Sequence, residues 1–357
     1  MTRRRSPLFP WLALLGALSG LAVRPAPRAV AQALNAHVFA RSYGVMGTDL
    51  TLSAYTNDDG AAERAFELAL AELRRIEALM TDWPHEGQPP SDVLRINEAA
   101  GREAVKVADE TFEVIAFSLD ISRRSQGTFD VTYAAMRGLW KFDQDMEKKL
   151  PAPAEIAKRR KLISWRDVIL DKTAKTVKLR RPGMRLGLGG IAKGYAVDRA
   201  STILRAQGLL NFMVQAGGDL YVAGQKGDAN WMVGVRDPRG GPRDVIAKMP
   251  IKDHAFSTAG DYERSFILGG KRYHHIIDPR TGYPATASRE VTVFAPNAFL
   301  ADGLDDAIFI LGPEKGLALC KEFPDTYAMI VDGHNKVWMS PGLEGHLTRT
   351  AEPTDWI

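Results

Sequence analysis

The sequence predicts an α+β fold in which helices pack on mixed, mostly antiparallel sheets. Stretches with the 3.6-residue period of an amphipathic helix and stretches with the alternating pattern of a strand follow one another irregularly. A parallel βαβ fold would alternate strand and helix regularly. Several strand patterns are also joined by short turns, as in antiparallel hairpins. The 357 residues contain no internal repeat or low-complexity tract, which is typical of a globular protein of one or two domains.

The first 31 residues predict an export signal. Arg3, Arg4 and Arg5 precede an apolar run that is shorter than the roughly 20 residues of a membrane span. Small residues follow and offer a cleavage site near Ala31 or Ala33. The paired arginines favour the twin-arginine export route, while the general secretion route and a retained anchor stay open as alternatives. We therefore expect a periplasmic or exported protein.

The charge of the remaining chain gives no support for nucleic-acid binding. The formal charge is +4, but the leader holds five arginines and no acid, so 42 basic residues face 43 acidic ones without it. Cys320 is the only cysteine, so we expect neither an intramolecular disulfide nor a lipid-bearing cysteine near the leader. We expect a single domain at residues 40–345, with two subdomains as an alternative, and a C-terminal tail at 346–357.

Helix and strand patterns account for most of the chain after the leader. AAERAFELALAELRRIEALM places Ala65, Leu73 and Ile76 on one stripe of a helix, and SDVLRINEAAG has a serine cap and a closing glycine. In chain order, the first half predicts a strand at 44–55, helices at 61–80, 91–101 and 108–127, a surface insertion at 141–160, and two strands within 161–183. The second half predicts a helix at 193–209, a strand, turn and strand at 211–224, strands in WMVGVRDP, DHAFSTAGDY, ERSFILGGKRYHHIIDP and SREVTVFAP, helices at 298–312 and 313–323, and a hairpin at 326–340.

A glycine-rich loop, LGLGGIAKGYAVD, precedes the helix predicted at 193–209. Its glycines let the backbone bend tightly and approach a ligand, and the amide groups of a helix N-terminus favour anions. Lys193 adds a positive charge there. The pattern fits neither the dinucleotide-binding fingerprint nor the P-loop. An anion-binding loop and a plain strand-to-helix turn both stay open.

Two aspartates share one face of the helix predicted at 298–312. ADGLDDA places Asp302 and Asp306 four residues apart, so their carboxylates lie one turn apart. Paired hard oxygens suit Mg²⁺, and a solvated helix face is the alternative. AGGDLYVAG carries Asp219 after a glycine pair and, taken alone, favours a turn over a site.

The stretch RYHHIIDPRTGYP places one of two adjacent histidines beside a rigid turn. If Tyr273 to Ile277 form a strand, His275 and His274 point to opposite faces. Asp278 begins a turn with proline at its second position, and its carboxylate can accept backbone hydrogen bonds ahead of it. His275 would suit a general base, and a core histidine bonded to a carbonyl is the alternative.

Two further stretches favour core packing when taken alone. GTFDVTYAAMRGLW places Thr132 one strand step beyond Asp130, and MTDWPHEGQPPSD places Trp83 in a proline-rich loop.

Taken in order, these stretches resemble the ApbE family of FAD:protein FMN transferases. The resemblance runs from about residue 44 to 312. The motifs that carry it are VMGTDL, LMTDW with SDVLRIN, GTFDVT with LW, LGGIAKGYAVD, VQAGGDLYVAG, STAGDY, HHIIDPRTGYP, and VTVFAP with LADGLDDAIFILG.

The resemblance implies an ApbE-like, T-fold-like architecture and a defined reaction. The enzyme would use FAD and Mg²⁺, and a Thr or Ser hydroxyl of an acceptor protein would attack the diphosphate. AMP would leave, and FMN would stay on the acceptor through a phosphoester bond. The expected acceptor is an exported or membrane redox protein.

The resemblance also implies roles for particular residues. The magnesium ion would be held by Asp302, Asp306 and the backbone carbonyl of Gly190. His275 would remove the proton of the attacking hydroxyl, and Asp278 would brace its loop. FAD would be contacted by Met46, Trp83, Thr128, Phe129, Asp130, Lys193 and Ile276.

Three positions depart from the family pattern. Asp306 stands where the family often has Thr, Gly187 where it commonly has Asp, and Trp83 where Tyr is frequent. Two other functions therefore stay open: an FAD pyrophosphatase that yields FMN and AMP, and a periplasmic flavin-binding protein without catalysis.

Overall fold

An eight-stranded sheet forms the centre of the computed structural model, which describes residues 36–142 and 148–356. From Ala36 onward the chain forms one compact unit. The export signal predicted at residues 1–31 lies outside the described residues. Within 36–142 and 148–356, no helix is long and apolar enough to cross a membrane.

Every strand pair within the described residues is antiparallel, which confirms the predicted fold class. In chain order the strands are β1 (His37–Val45), β2 (Thr48–Thr56), β3 (Val105–Lys106), β4 (Val168–Asp171), β5 (Thr176–Leu179), β6 (Phe212–Ala216), β7 (Asp219–Ala223), β8 (Trp231–Arg236), β9 (Val245–Ile251), β10 (His254–Gly260), β11 (Ser265–Leu268), β12 (Lys271–His274), β13 (Ser288–Ala295), β14 (Tyr327–Asp332), β15 (Val337–Met339) and β16 (Thr348–Arg349). The large sheet has the order β1-β2-β6-β7-β10-β13-β14-β15, and the smaller sheets are β11-β12, β16-β9-β8 and β3-β5-β4.

Except for α4 at Pro153–Arg160, which was not predicted, the α-helices begin and end close to the predicted positions. Their bounds are α1 (Asp59–Met80), α2 (Asp92–Glu98), α3 (Asp109–Arg124), α4 (Pro153–Arg160), α5 (Ala192–Ala206), α6 (Ala298–Leu311) and α7 (Pro313–Cys320), with a 3₁₀ helix at Val131–Met136.

The large sheet buries both of its faces. On β13, Val293 joins the core shared with α1, α5 and α6, whereas Phe294 packs on the opposite face. There it meets the small sheet through residues such as Trp231 of β8. Each such buried apolar side chain stabilises the fold by about 1.5–3 kcal/mol. Helices thus cover one face and a second sheet covers the other.

The alternation along β7 and β10 directs two polar side chains toward the helices. Asp219 alternates with Leu220, which belongs to the core on the opposite face. Ser257 likewise alternates with Phe256. Asp219 and Ser257 are therefore buried between the sheet and the helices α5 and α6.

The prediction of a single strand at 44–55 is wrong, because a turn between β1 and β2 divides this segment. Val45 pairs with Thr48, and the two residues between them, Met46 and Gly47, have φ angles of 54° and 69°. Positive φ at both positions is the signature of a type I′ hairpin turn. A two-residue turn leaves the alternating pattern unbroken, so periodicity alone could not find it.

Three other local predictions need correction. Strand β9 was not predicted, because Pro250 interrupts its pattern. The strand step from Asp130 to Thr132 is instead the start of the 3₁₀ helix, which Asp130 caps. The insertion predicted at 141–160 contains helix α4, which buries Ile156; residues 143–147 lie outside the described part.

The segment predicted as a C-terminal tail packs against the body of the protein. Strand β16 pairs with β9, and the hydroxyl of Thr354 donates a hydrogen bond to Asp237 at 2.6 Å. Trp356 donates its indole N–H to the carbonyl of Arg239 at 2.8 Å.

Candidate active site

The glycine-rich loop leads directly into α5, and a second glycine lets α5 approach α6. A Cβ atom at Gly194 would lie 2.3 Å from the carbonyl oxygen of Ala298 and 2.7 Å from the Cβ of Asp302. A side chain at this position would therefore separate the two helices. The close approach lets the backbone N–H of Gly194 donate to Asp302 at 2.7 Å.

Lys193, in the first turn of α5, lies between two buried aspartates. Its Nζ atom is 2.6 Å from Oδ2 of Asp219 and 3.4 Å from Oδ1 of Asp302. Burial alone would lower the pKa of Lys193, but the two carboxylates outweigh it and raise the pKa well above its usual value. The lysine is therefore charged, and its ion pairs connect α5 to β7 of the sheet and to α6.

Two further aspartates extend this cluster along α6. The hydroxyl of Ser257 lies 2.5 Å from Asp219 and 2.6 Å from Asp305. One carboxylate oxygen from each of Asp219, Asp302 and Asp305 lies within 4.8 Å of the others, a spacing that could hold a metal ion. Asp306 faces the glycine-rich loop, with Oδ2 3.0 Å from the Cβ position of Gly190.

The electrostatics of the cluster fit a bound cation. Burial raises the pKa of Asp302 to about 7, and the charge on Asp219 adds to the effect. Burial also raises the pKa of Asp306 to about 6, and that of Asp305 well above its usual value. Three buried carboxylates and the partly buried carboxylate of Asp306 lie around one lysine. The raised pKa values show that one lysine does not offset the desolvation and mutual repulsion of these acids. A divalent cation such as Mg²⁺, which prefers hard oxygen ligands, would replace the retained protons.

The sequence identified only part of this cluster. Asp302 and Asp306 were predicted as ligands together with Gly190, and the structure brings all three close to the N-terminal end of α5. Asp305 was missed, although its three-residue spacing from Asp302 also places it on a shared helix face. Asp219 was interpreted as a turn residue, because only tertiary structure brings β7 beneath α6.

The two adjacent histidines have different environments. His274 ends β12 and is buried, with Nε2 2.7 Å from the carbonyl oxygen of Ala285 and its ring edge against Phe309. It is a core histidine. His275 follows the strand and is exposed. Its backbone N–H donates to the carbonyl oxygen of Arg264 at 3.1 Å.

The imidazole of His275 is neutral at pH 7. Desolvation lowers the pKa of His275, and the neighbouring His274, Arg264 and Lys193 act in the same direction. Because Lys193 acts on this ring, the imidazole and the acidic cluster share one electrostatic environment. A neutral imidazole there is able to accept a proton.

Asp278 fixes the turn that follows His275. Its carboxylate forms an ion pair with Arg280 at 2.8 Å and accepts the backbone N–H of Arg280, and its carbonyl accepts the N–H of Gly282 at 2.8 Å. This geometry suits a positioning residue. Ile276, between the histidine and the turn, is buried and accepts the N–H of Ala285 through its carbonyl.

The polar side chains of residues 128–130 form hydrogen bonds with other groups of the protein. The Thr128 hydroxyl donates to the carbonyl of Ser125 at 3.1 Å. Asp130 accepts from the hydroxyl and N–H of Thr132 and from the N–H of Trp165. Phe129 has a ring carbon 3.8 Å from the Cβ position of Gly190. Phe129 therefore reaches the glycine-rich loop, while its neighbours hold the segment in place.

Met46 and Trp83 lie on two loops. Met46 occupies the tip of the β1–β2 hairpin, and Arg264 donates to the carbonyl of its neighbour Gly47 at 3.4 Å. The side chain of Trp83 is 63% exposed, and the guanidinium of Arg137 stacks over its ring at 3.9 Å. Both loops present side chains that a ligand could cover.

Known proteins share both the sequence and the fold of this chain. An FAD:protein FMN transferase of Klebsiella pneumoniae is 33% identical over 304 residues, 85% of this chain and 92% of the relative. One of Treponema pallidum is 32% identical over 321 residues, 85% of this chain and 87% of the relative. The crystal structure of an ApbE protein from Thermotoga maritima matches with a TM-score of 0.77 and 31% identity, covering 87% of this chain and 99% of the other.

A flavinyl transferase ApbE from Pseudomonas stutzeri in its apo form matches with a TM-score of 0.74 and 27% identity, over 87% of this chain and 97% of the other. The model of the ApbE family matches residues 46–331, which include the glycine-rich loop, the acidic cluster and both histidines. The chain therefore belongs to the ApbE family.

Proposed function

We propose that this protein is an FAD:protein FMN transferase. In the presence of Mg²⁺ it transfers FMN from FAD to a Thr or Ser hydroxyl of an acceptor protein and releases AMP. The observation that carries the proposal is the cluster of three buried aspartates, Asp219, Asp302 and Asp305, around Lys193, whose charge also acts on the imidazole of His275. A flavin-binding protein without catalysis would need neither group.

The reaction exchanges one phosphorus–oxygen bond for another. The acceptor hydroxyl oxygen bonds to the phosphorus on the FMN side of the diphosphate, and the bond from that phosphorus to the bridging oxygen breaks. The bridging oxygen leaves with AMP. The hydroxyl proton goes to His275, whose low pKa will be raised by the negative diphosphate of the bound substrate.

The residues of this chain bind and orient the reacting groups. Asp302, Asp306 and the Gly190 carbonyl would hold the magnesium ion, and Asp219 and Asp305 surround the same space. When bound, the ion neutralises charge that develops on the phosphates. Lys193 and the first amides of α5 add positive potential from the protein itself.

The decisive experiment is covalent labelling. We expect the purified protein, FAD, Mg²⁺ and a candidate exported redox protein to give a flavin-fluorescent acceptor band in a denaturing gel, with one AMP released per label. Accumulation of free FMN and AMP without a label would favour an FAD pyrophosphatase. Tight FAD binding without AMP or FMN would favour a non-catalytic flavin-binding protein.

We predict that His275→Ala retains FAD binding and slows transfer on the order of 10²-fold or more. The exposed His346 provides a matched control, since His346→Ala removes the same group elsewhere. Initial rates of label formation measure the effect. Wild-type rates in the His275→Ala variant would remove this residue from the mechanism.

We also propose that the protein is exported through its N-terminal segment and acts on periplasmic or membrane-bound acceptors. The arginine cluster and short apolar run support this location. Cell fractionation and N-terminal sequencing test it. A full-length protein that stays in the cytoplasm would contradict export.

A further inference from the structure

The loop that carries Trp83 is tied to the protein at both ends. The hydroxyl of Thr81 accepts the N–H of Trp83 at 3.1 Å, and Ser91, which caps α2, donates its hydroxyl to the carbonyl of Thr81 at 2.5 Å. These hydrogen bonds fix the backbone of the loop but not the indole ring, and 63% of the residue is exposed. An exposed ring without further contacts would sample several rotamers and lose that freedom on binding a ligand.

Arg137 supplies the missing contact. Its guanidinium lies 3.9 Å from the centre of the Trp83 ring, which is within the range of a cation–π interaction. It covers one face of the indole. The same guanidinium forms an ion pair with the carboxylate of Asp82 and donates to the Asp82 carbonyl. Arg137 is thus fixed by two groups of Asp82 while it stacks on Trp83.

Asp82 can occupy its position because Gly187 has no side chain. A Cβ atom at Gly187 would lie 3.2 Å from Oδ2 of Asp82 and 2.9 Å from the Cβ of Ala134. The carboxylate of Asp82 therefore occupies the space into which a side chain of the glycine-rich loop would point. An acid at this position, as in the common family pattern, would crowd and repel Asp82.

The group formed by Trp83, Arg137 and Asp82 lies close to the acidic cluster. Tyr133 lies between them: its hydroxyl is 3.4 Å from the Cβ position of Gly189, and the charges of both Asp82 and Asp306 act on it. Asp82, which holds Arg137, is therefore separated from the acidic cluster by little more than the ring of Tyr133.

We propose that Arg137 and Asp82 are positioning residues that hold the Trp83 ring as a stacking platform for the flavin. This inference rests on the proposed function, since it takes FAD as the ligand. Arg137 covers one face of the indole and leaves the other for the isoalloxazine, and Asp82 orients Arg137 from the space that Gly187 leaves open. Neither residue touches the reacting atoms.

The test measures FAD binding directly by fluorescence polarisation, so that it needs neither an acceptor nor turnover. Arg137→Met keeps the length of the side chain and removes its charge and its planar group. We expect the Kd for FAD to rise about 3- to 10-fold. In the separate labelling reaction with an acceptor, kcat should stay within about 2-fold of wild type. Arg137→Lys retains a cation next to Asp82 and should restore part of the affinity. Asp82→Asn should weaken FAD binding to a similar extent as Arg137→Met.

Arg159→Met is the matched control, because Arg159 donates to the carbonyl of Ala135, in the 3₁₀ helix that ends just before Arg137, at 3.0 Å. It should bind FAD as the wild type does. Thermal unfolding of each variant shows whether the fold is retained, and Arg137→Lys serves if Arg137→Met does not fold.

A double-mutant cycle separates positioning from a direct contact. If Arg137 acts through the indole, Arg137→Met should change FAD affinity by less than 2-fold in a Trp83→Ala background. Full additivity of the two changes, or wild-type FAD affinity in the single Arg137 variants, would overturn the proposal. Failure of the labelling reaction with wild-type protein would instead contradict the proposed function, whatever the binding results.

Discussion

Replacing Gly194 by alanine should separate the two helices that carry the acidic cluster. The new methyl group would lie 2.3 Å from the carbonyl oxygen of Ala298 and 2.7 Å from the Cβ of Asp302. That carbonyl belongs to the first turn of α6 and cannot rotate away. Reaching an ordinary contact distance requires a shift of about 1 Å between α5 and α6.

The expected loss of stability follows from three contributions. Overpacking of a close contact costs about 1–3 kcal/mol. Loss of the hydrogen bond from the Gly194 N–H to the buried Asp302 carboxylate costs about 1.5–3 kcal/mol. Alanine gains about 1 kcal/mol over glycine in a helix. The free energy of unfolding should therefore fall by about 1.5–5 kcal/mol.

Urea unfolding at constant pH measures this change, and the Mg²⁺ dependence of transfer measures the effect on the site. Gly60→Ala is the matched control, because Gly60 lies in the first turn of α1 and its nearest neighbour is a flexible arginine side chain at 3.4 Å. The control should be neutral or slightly stabilising. A Gly194→Ala protein with wild-type stability and wild-type Mg²⁺ dependence would refute the reasoning.

Two further predictions concern the partly buried acids Asp306 and Asp198. Asp306→Ala should raise the Mg²⁺ concentration needed for half-maximal transfer, because a hard oxygen beside Gly190 is lost; an unchanged metal dependence would place the site elsewhere. Burial raises the pKa of Asp198 from 3.8 to about 6, so its contribution to stability is present below about pH 4 and is lost as the pH rises through 6. The free energy of unfolding of Asp198→Asn relative to wild type should rise by up to about 3 kcal/mol from pH 4 to 7, and parallel pH profiles would contradict this.

Long amphipathic patterns could be read correctly from the sequence. The helix predicted at 61–80 is Asp59–Met80, and the strand, turn and strand at 211–224 is the β6–β7 hairpin. These elements bury one continuous stripe or face, so local periodicity contains the necessary information. The β1–β2 turn and β9 were missed because a two-residue turn and an internal proline leave weak local signals.

The site was predictable where its residues are close in sequence. Asp302 and Asp306 share a helix. Strand alternation separated the two adjacent histidines, of which His274 is buried and His275 is not, but the choice of His275 as the base came from the family resemblance. Asp219 and Arg137 could not be assigned, because their partners come from distant segments. Tertiary packing decides such contacts, and no local pattern encodes them.

The left-handed backbone of Met46 has an evolutionary consequence. At φ 54° a methionine is strained by about 1–2 kcal/mol relative to glycine, which adopts this conformation freely. A change to glycine would thus be favoured if stability alone were selected. A contact between this side chain and bound FAD would oppose that change, so homologues that have lost flavin chemistry are expected to drift toward glycine there.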